Sequence, residues 1–66
     1  MTITLNGEAY VLPGPLTIAE LLARLDIDAR RVAVERNLVV IKRDAYDRTE
    51  ITQGDQIEIV NFVGGG

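Results

Sequence analysis

Cysteine and histidine are absent from this chain of 66 residues, and proline occurs only twice. Without cysteine there is no disulfide, no thiolate nucleophile and none of the usual zinc-ligand spacings. Without histidine the commonest general base at neutral pH is missing. An enzyme made from this chain alone would have to work with carboxylates, lysine, arginine and tyrosine, so the expectation is that it is not one. Long apolar runs are also lacking: the stretch 38–41 falls far short of a membrane span, and Met1 leads into an alternating pattern unlike a signal peptide. A cytosolic location is expected from this. Basic charge is scarce as well. The net charge of −3 argues against nucleic acid, which requires a basic face to displace counterions. Arg30 with Arg31, and Lys42 with Arg43, are two short basic pairs that read as solvated surface.

Hydrophobic residues make up 47% of the chain, enough for a packed core and too many for a disordered segment. At this length there is room for one domain, which buries only about 60% of the surface its unfolded chain exposes. Residues 2–5 alternate, with Ile3 and Leu5 on one face, as in a half-buried strand. Asn6-Gly7 suits a two-residue hairpin because both positions tolerate positive φ, and residues 8–12 return as a second strand. Pro13-Gly14-Pro15 ends it. Thr17 and Glu20 then form a capping box, with Leu16 and Leu21 placed for a hydrophobic staple. Ile18, Leu21, Leu22 and Leu25 make one apolar stripe of a helix of two to three turns, and Asp26 and Asp28 punctuate its end. Residues 32–36 resume a strand, Asn37-Leu38 is a turn weaker than Asn-Gly, and residues 39–41 form a short strand. Residues 42–49 are polar and irregular, with Tyr46 pinning the loop. Residues 53–55 turn into a last strand, 56–62. The expected core is Ile3, Leu5, Leu21, Leu22, Leu25, Val34, Ile57 and Ile59.

Two features near the end of the chain each leave two readings open. Val60 and Phe62 fall on the face opposite Ile57 and Ile59, where a single helix leaves no covering layer. They are either a partner surface or packed against a neighbouring loop. Val63 is followed by Gly64, Gly65 and Gly66, which form a side-chain-free extension. It is either a frayed end or linker, or a working tail. A free α-carboxyl, with a pKa of about 3.3–3.7, is ionised at neutral pH and a poor electrophile. Conversion to an acyl-adenylate gives it a good leaving group. Glycines would let such a tail enter a narrow channel and approach a nucleotide.

The order strand, strand, helix, strand, short strand, strand is the β-grasp arrangement of ubiquitin-like domains. It predicts an α+β fold: a mixed sheet of about five strands with one main helix on one face, the last strand pairing beside the first. The domain is expected over 1–62 and the tail over 63–66. The Asn6-Gly7 hairpin, Leu16-Thr17-Ile18-Ala19-Glu20-Leu21-Leu22, Val32-Ala33-Val34-Glu35-Arg36-Asn37, Gly54-Asp55, Ile57-Glu58-Ile59-Val60 and Phe62-Val63-Gly64-Gly65-Gly66 together resemble the ThiS family of thiamin-biosynthesis sulfur carriers. Leu38, Lys42 and Asn61 depart from that family, where glycine, proline and histidine are common. The resemblance implies that Gly66 is the covalent site, adenylated and then converted to a thiocarboxylate. It also implies that Gly64 and Gly65 are its tether, and that Val60, Phe62 and Val63 dock partners. Those partners would be an adenylating activating enzyme using ATP and magnesium, a sulfur donor such as a cysteine desulfurase, and a thiazole synthase. The chain itself would bind no cofactor. The small subunit of molybdopterin synthase, another sulfur-transfer carrier and a ubiquitin-like binding module are the rival readings.

Overall fold

Two tight turns and one crossover fold the chain into a five-stranded sheet. The computed structural model describes residues 1–62. Strands β1 (Thr2–Leu5) and β2 (Glu8–Val11) form the first hairpin, and β3 (Val32–Arg36) and β4 (Val39–Ile41) the second. The last strand, β5 (Gln56–Asn61), lies between them in the order β2-β1-β5-β3-β4. It runs parallel to β1 and antiparallel to β3. Both hairpins turn through two residues of positive φ, Asn6 at 49° and Gly7 at 85°, then Asn37 at 52° and Leu38 at 70°. That handedness matches the twist of the flanking strands. The sequence placed β2 one residue longer and β5 one residue longer. Leu12 and Phe62 still extend the ladders, donating to Met1 O at 2.7 Å and Arg31 O at 2.9 Å.

Helix α1 (Ile18–Arg24) is closed at both ends by specific bonds. Thr17 N donates to Glu20 Oε1 at 2.8 Å and Glu20 N to Thr17 Oγ1 at 3.1 Å, the reciprocal box expected from the sequence. The two N–H groups between them are met by the loop before β5: Ile18 N donates to Thr49 O and Ala19 N to Tyr46 O. All the orphan donors of the first turn are thereby satisfied. At the other end Asp26 takes φ 59°, Asp26 N donates to Ala23 O, and Ile27 N to Leu22 O. This is a Schellman closure with aspartate in the position glycine usually takes.

The core lies between this helix and one face of the sheet. It comprises Ile3, Leu12, Ile18, Leu21, Leu22, Val32, Val34, Tyr46, Ile51 and Ile57. Three residues expected inside, Leu5, Leu25 and Ile59, are only partly buried at its margin. The physical reason is reach. A helix of seven residues spans about 10 Å, so it shields the middle of the sheet and leaves strand ends and its own last turn at the rim. Leu12, Tyr46 and Ile51 enter from connecting segments and close the sides. Tyr46 was read as pinning its loop and is buried; the irregular segment around it contains a 3-10 turn, Arg43–Ala45, that the sequence did not reveal.

One buried carboxylate ties the second hairpin to the start of β5. Asp55 accepts from Arg36 Nε at 2.8 Å, Asn37 Nδ2 at 3.1 Å, Thr52 N at 2.8 Å and Thr52 Oγ1 at 3.1 Å. Burial by itself raises the pKa of this carboxyl, but the backbone bond from Thr52 and the side-chain bonds from Arg36, Asn37 and Thr52 outweigh it. The group is held below its ordinary 3.8. The stability it contributes is therefore complete above 3.8 and is lost as pH falls through that value and past the lower folded one. Asp55→Ala should cost about 2–4 kcal/mol at pH 7, because it strands a guanidinium and an N–H. In urea melts the gap between the wild-type and variant midpoints should close on acidification below 3.8. A gap independent of pH would show that the ionised form is not what stabilises the fold. Leu38 gives the opposite sign. It is 77% exposed and sits in the left-handed region, which costs an L-residue about 1–2 kcal/mol. Leu38→Gly should raise stability by about 0.5–1 kcal/mol after the added chain entropy of glycine. A fall in melting temperature would mean that the leucine side chain packs after all.

Candidate functional site

The alternation of β5 decides what it presents on each side. Ile57 is fully buried and Ile59 half-buried beneath the helix, while Gln56, Glu58 and Val60 point to the opposite face. On that open face the register sets Ala33 beside Val60, Glu35 beside Glu58, and Val40 beside Glu35. Among the described residues no helix or second sheet lies over it. Val60 is 55% exposed and Phe62 56% exposed, so neither has been absorbed by a neighbouring loop. Packing against a neighbouring loop, one of the two readings the sequence left open for these residues, is thereby excluded. Val63, Gly64, Gly65 and Gly66 lie outside the described residues.

Tertiary bonds place the end of β5 accurately. β1 stops at Leu5, opposite Ile57, and beyond it the Asn6 side chain takes over the pairing. Ile59 N donates to Asn6 Oδ1 at 2.7 Å, and Asn6 Nδ2 donates to Ile59 O at 3.3 Å. One amide thus serves both backbone groups of Ile59 as a neighbouring strand would. On the other side Phe62 N donates to the carbonyl of Arg31. Arg31 ends a 3-10 turn, Ala29–Arg31, capped by Asp28. The side-chain hydrogen bond from Arg30, followed by its backbone N–H, pushes the exposed Asp28 carboxyl down to about 2. The basic pair Arg30 and Arg31 is thereby next to the end of the last strand along the backbone, whereas Lys42 and Arg43 are exposed just after β4. Sequence reasoning gave both Asn6 and Asp55 only turn roles. Asn6 and Ile59 are 53 positions apart, and no local signal marks such a contact.

The chemistry available on the described surface is limited. A shallow depression of about 300 Å³ is lined by Thr4, Asn6, Gly7, Gln56, Ile57 and Glu58, at the small end of the range for ligand sites. Among the described residues no group of three or more His, Cys, Asp or Glu is placed to hold a metal ion, and no helix is long and apolar enough to cross a membrane. What the surface offers is an apolar and acidic platform leading to the last residues of the chain.

Comparison with known proteins points the same way. The model of the ThiS family matches residues 3–66. The thiazole synthase of Paramagnetospirillum magneticum is 41% identical over the whole of this chain, which covers 20% of that protein; the chain spans about a fifth of the length of that relative. The sulfur carrier protein ThiS of Bacillus subtilis is 46% identical over 50 residues, 76% of each chain. The crystal structure of the thiamine biosynthesis protein ThiS from Geobacter metallireducens superposes with a TM-score of 0.88 at 39% identity, covering 100% of both chains.

The Asn6 contact makes a local prediction. Asn6→Ala should cost about 1 kcal/mol, the net worth of exposed hydrogen bonds. It should also speed amide hydrogen exchange at Ile59 while leaving Ile57, which lies within the β1–β5 ladder, protected. Unchanged exchange at Ile59 would show that the side-chain clamp does not operate in solution.

Proposed function

The chain belongs to the ThiS family, and from that premise we propose that it is the sulfur carrier of thiazole formation in thiamin biosynthesis, with the carboxylate of Gly66 as its working group. The observation that carries this reading is the family match, which runs through Phe62 and the three glycines to residue 66. In the proposed cycle an activating enzyme, with ATP and magnesium, joins the Gly66 carboxylate to AMP and releases pyrophosphate. A persulfide sulfur derived from cysteine, delivered by a desulfurase or similar donor, displaces AMP to give an acyl disulfide, and a thiol reductant then cleaves its S–S bond and leaves a thiocarboxylate. A thiazole synthase then accepts the sulfur. The chain turns nothing over by itself; it presents its end to enzymes that do.

The proposed roles divide as follows along the end of the chain. Gly64 and Gly65 are the tether, without a Cβ to obstruct a narrow channel. Val60, Phe62 and Val63 are the docking residues that bring the tether to each enzyme. A thiazole synthase as acceptor is favoured over a molybdopterin synthase large subunit by the relative from Paramagnetospirillum, in which a segment like this chain occurs within a protein of that name.

The decisive experiment compares a protein ending at Gly66 with one carrying an added alanine. Both are incubated with an activating enzyme from the same genome, ATP, magnesium and a sulfur donor, and read by intact-mass spectrometry. Only the first should exchange one oxygen for sulfur, and both should fold alike, since exposed chain ends tolerate change. Equal conversion of both, or of neither, removes Gly66 from its role. In parallel, Phe62→Ala should weaken binding to the activating enzyme or the thiazole synthase by about tenfold or more, as loss of an aromatic anchor does, with little change in melting temperature. Undiminished affinity would move the docking surface elsewhere.

A further inference from the structure

Beyond Ile57 the two edges of β5 are held very differently. Toward β3 the register continues through Glu58, Ile59, Val60 and Asn61, and the Phe62 N–H goes on to the Arg31 carbonyl. Toward β1 the ladder stops at the pair Leu5 and Ile57. Among the described residues, the Asn6 side chain is the one group that bonds the backbone of 58–62 from that side. Two-stranded ribbons twist more strongly than strands paired on both edges, so a strand end bonded along one edge is free to roll about that ladder.

Asn6 is placed to stop this roll. Its backbone N–H donates to Ile57 O at 2.9 Å, and its side chain engages both backbone groups of Ile59. Its φ of 49° belongs to the tight turn with Gly7, so the amide projects from a fixed base. One residue thus bonds three groups of β5 immediately before Val60 and Phe62. Those two side chains leave the strand on the open face, each more than half exposed. A roll at Ile59 would re-aim both.

We propose that Asn6 is a positioning residue, whose side-chain clamp on Ile59 holds Val60 and Phe62 preoriented for docking on the activating enzyme. The inference rests on the reading that these residues dock that enzyme, and it names what prepares them. Without the clamp the end of β5 must be ordered at the moment of binding, and that cost lowers affinity. Once the complex has formed, the enzyme itself holds the strand, and adenylation of Gly66 proceeds at its ordinary rate. The signature is a higher KM for the carrier with an unchanged kcat, the mark of lost binding that is uniform between ground and transition states.

ATP–pyrophosphate exchange by the activating enzyme of the same genome, measured against the concentration of the full chain, separates the two constants. The variants are Asn6→Gly, Asn6→Asp and Asn37→Gly. Glycine accepts the positive φ of the turn and removes only the clamp. Aspartate keeps an acceptor for the Ile59 N–H but offers no donor to the Ile59 carbonyl. Asn37→Gly removes the corresponding asparagine of the second hairpin, which bonds Gln56 N and Asp55 at the other end of β5, and so controls for stability alone. Asn6→Gly should raise KM about three- to tenfold with kcat held, and Asn6→Asp should fall between it and the wild type. Asn37→Gly should lower the melting temperature and leave KM unchanged. If Asn6→Gly fails to fold, Asn6→Asp decides: its KM must exceed that of the wild type. A KM equal to the wild type in the folded Asn6 variants refutes the positioning role and leaves the carrier reading intact. An equal rise for Asn6→Gly and Asn37→Gly assigns both to stability and also refutes it, as does a loss of kcat at constant KM. If the wild type supports no exchange, the carrier reading fails and the inference with it.

Discussion

A single short helix can cover only one side of a sheet, and most of what this protein is follows from that limit. Five strands at about 4.8 Å spacing make a sheet roughly 19 Å wide, and the seven residues of α1 reach about half that distance. The chain closes the difference with Leu12, Tyr46 and Ile51, all drawn from segments between regular elements and all buried. The opposite face is left with a band of Val40, Val60 and Phe62, each more than half exposed. In a larger domain a second layer would cover such residues; here they stand open. Core and candidate interface are therefore two consequences of one shortage of covering material.

The central strand is held by side chains as much as by its neighbours. Asn6 and Asn37 occupy the same position in their respective hairpins, both with positive φ, and both turn their amides toward β5. Asn6 bonds both backbone groups of Ile59. Asn37 accepts from Gln56 N at 2.9 Å and donates to Asp55. The two turns that reverse the chain also grip the strand that leads to its last residues. The loop between β4 and β5 does comparable work at the helix, where its carbonyls complete the capping of α1. These contacts fix the course of β5 as far as Phe62.

Electrostatics divides the molecule in the same way. On the helix side charge is satisfied internally: Arg36 and Asp55 meet at 2.8 Å, with Asn37 and Thr52 completing the carboxylate's partners. On the open side Glu35 and Glu58 stand opposite one another in the ladder, and among the described residues neither joins an ion pair. Sequence alone could not separate these cases, because the partners of Asp55 on the second hairpin are brought to it only by tertiary folding.

What the amino-acid sequence determined by itself was everything governed by short-range periodicity and local bonds. The alternation in β1, β3 and β5, the Asn6-Gly7 turn, the Thr17–Glu20 box and the apolar stripe Ile18, Leu21 and Leu22 depend on residues at most four apart, and each stands in the structure. The same periodicity set Val60 opposite to Ile57. The order of elements was enough to anticipate β5 beside β1. The tertiary structure alone decided which of the residues with an inward period are truly interior, since Leu5, Leu25 and Ile59 carry the same pattern as Ile3 and Ile57 but sit beyond the reach of the helix. It alone brought Asn6 to Ile59, Asp55 to Arg36, and Glu35 to Glu58. Those meetings join positions 19 to 53 apart in the chain. A hydrogen bond or a repulsion between such residues exists only once the strands are paired, so no local pattern of sequence records it.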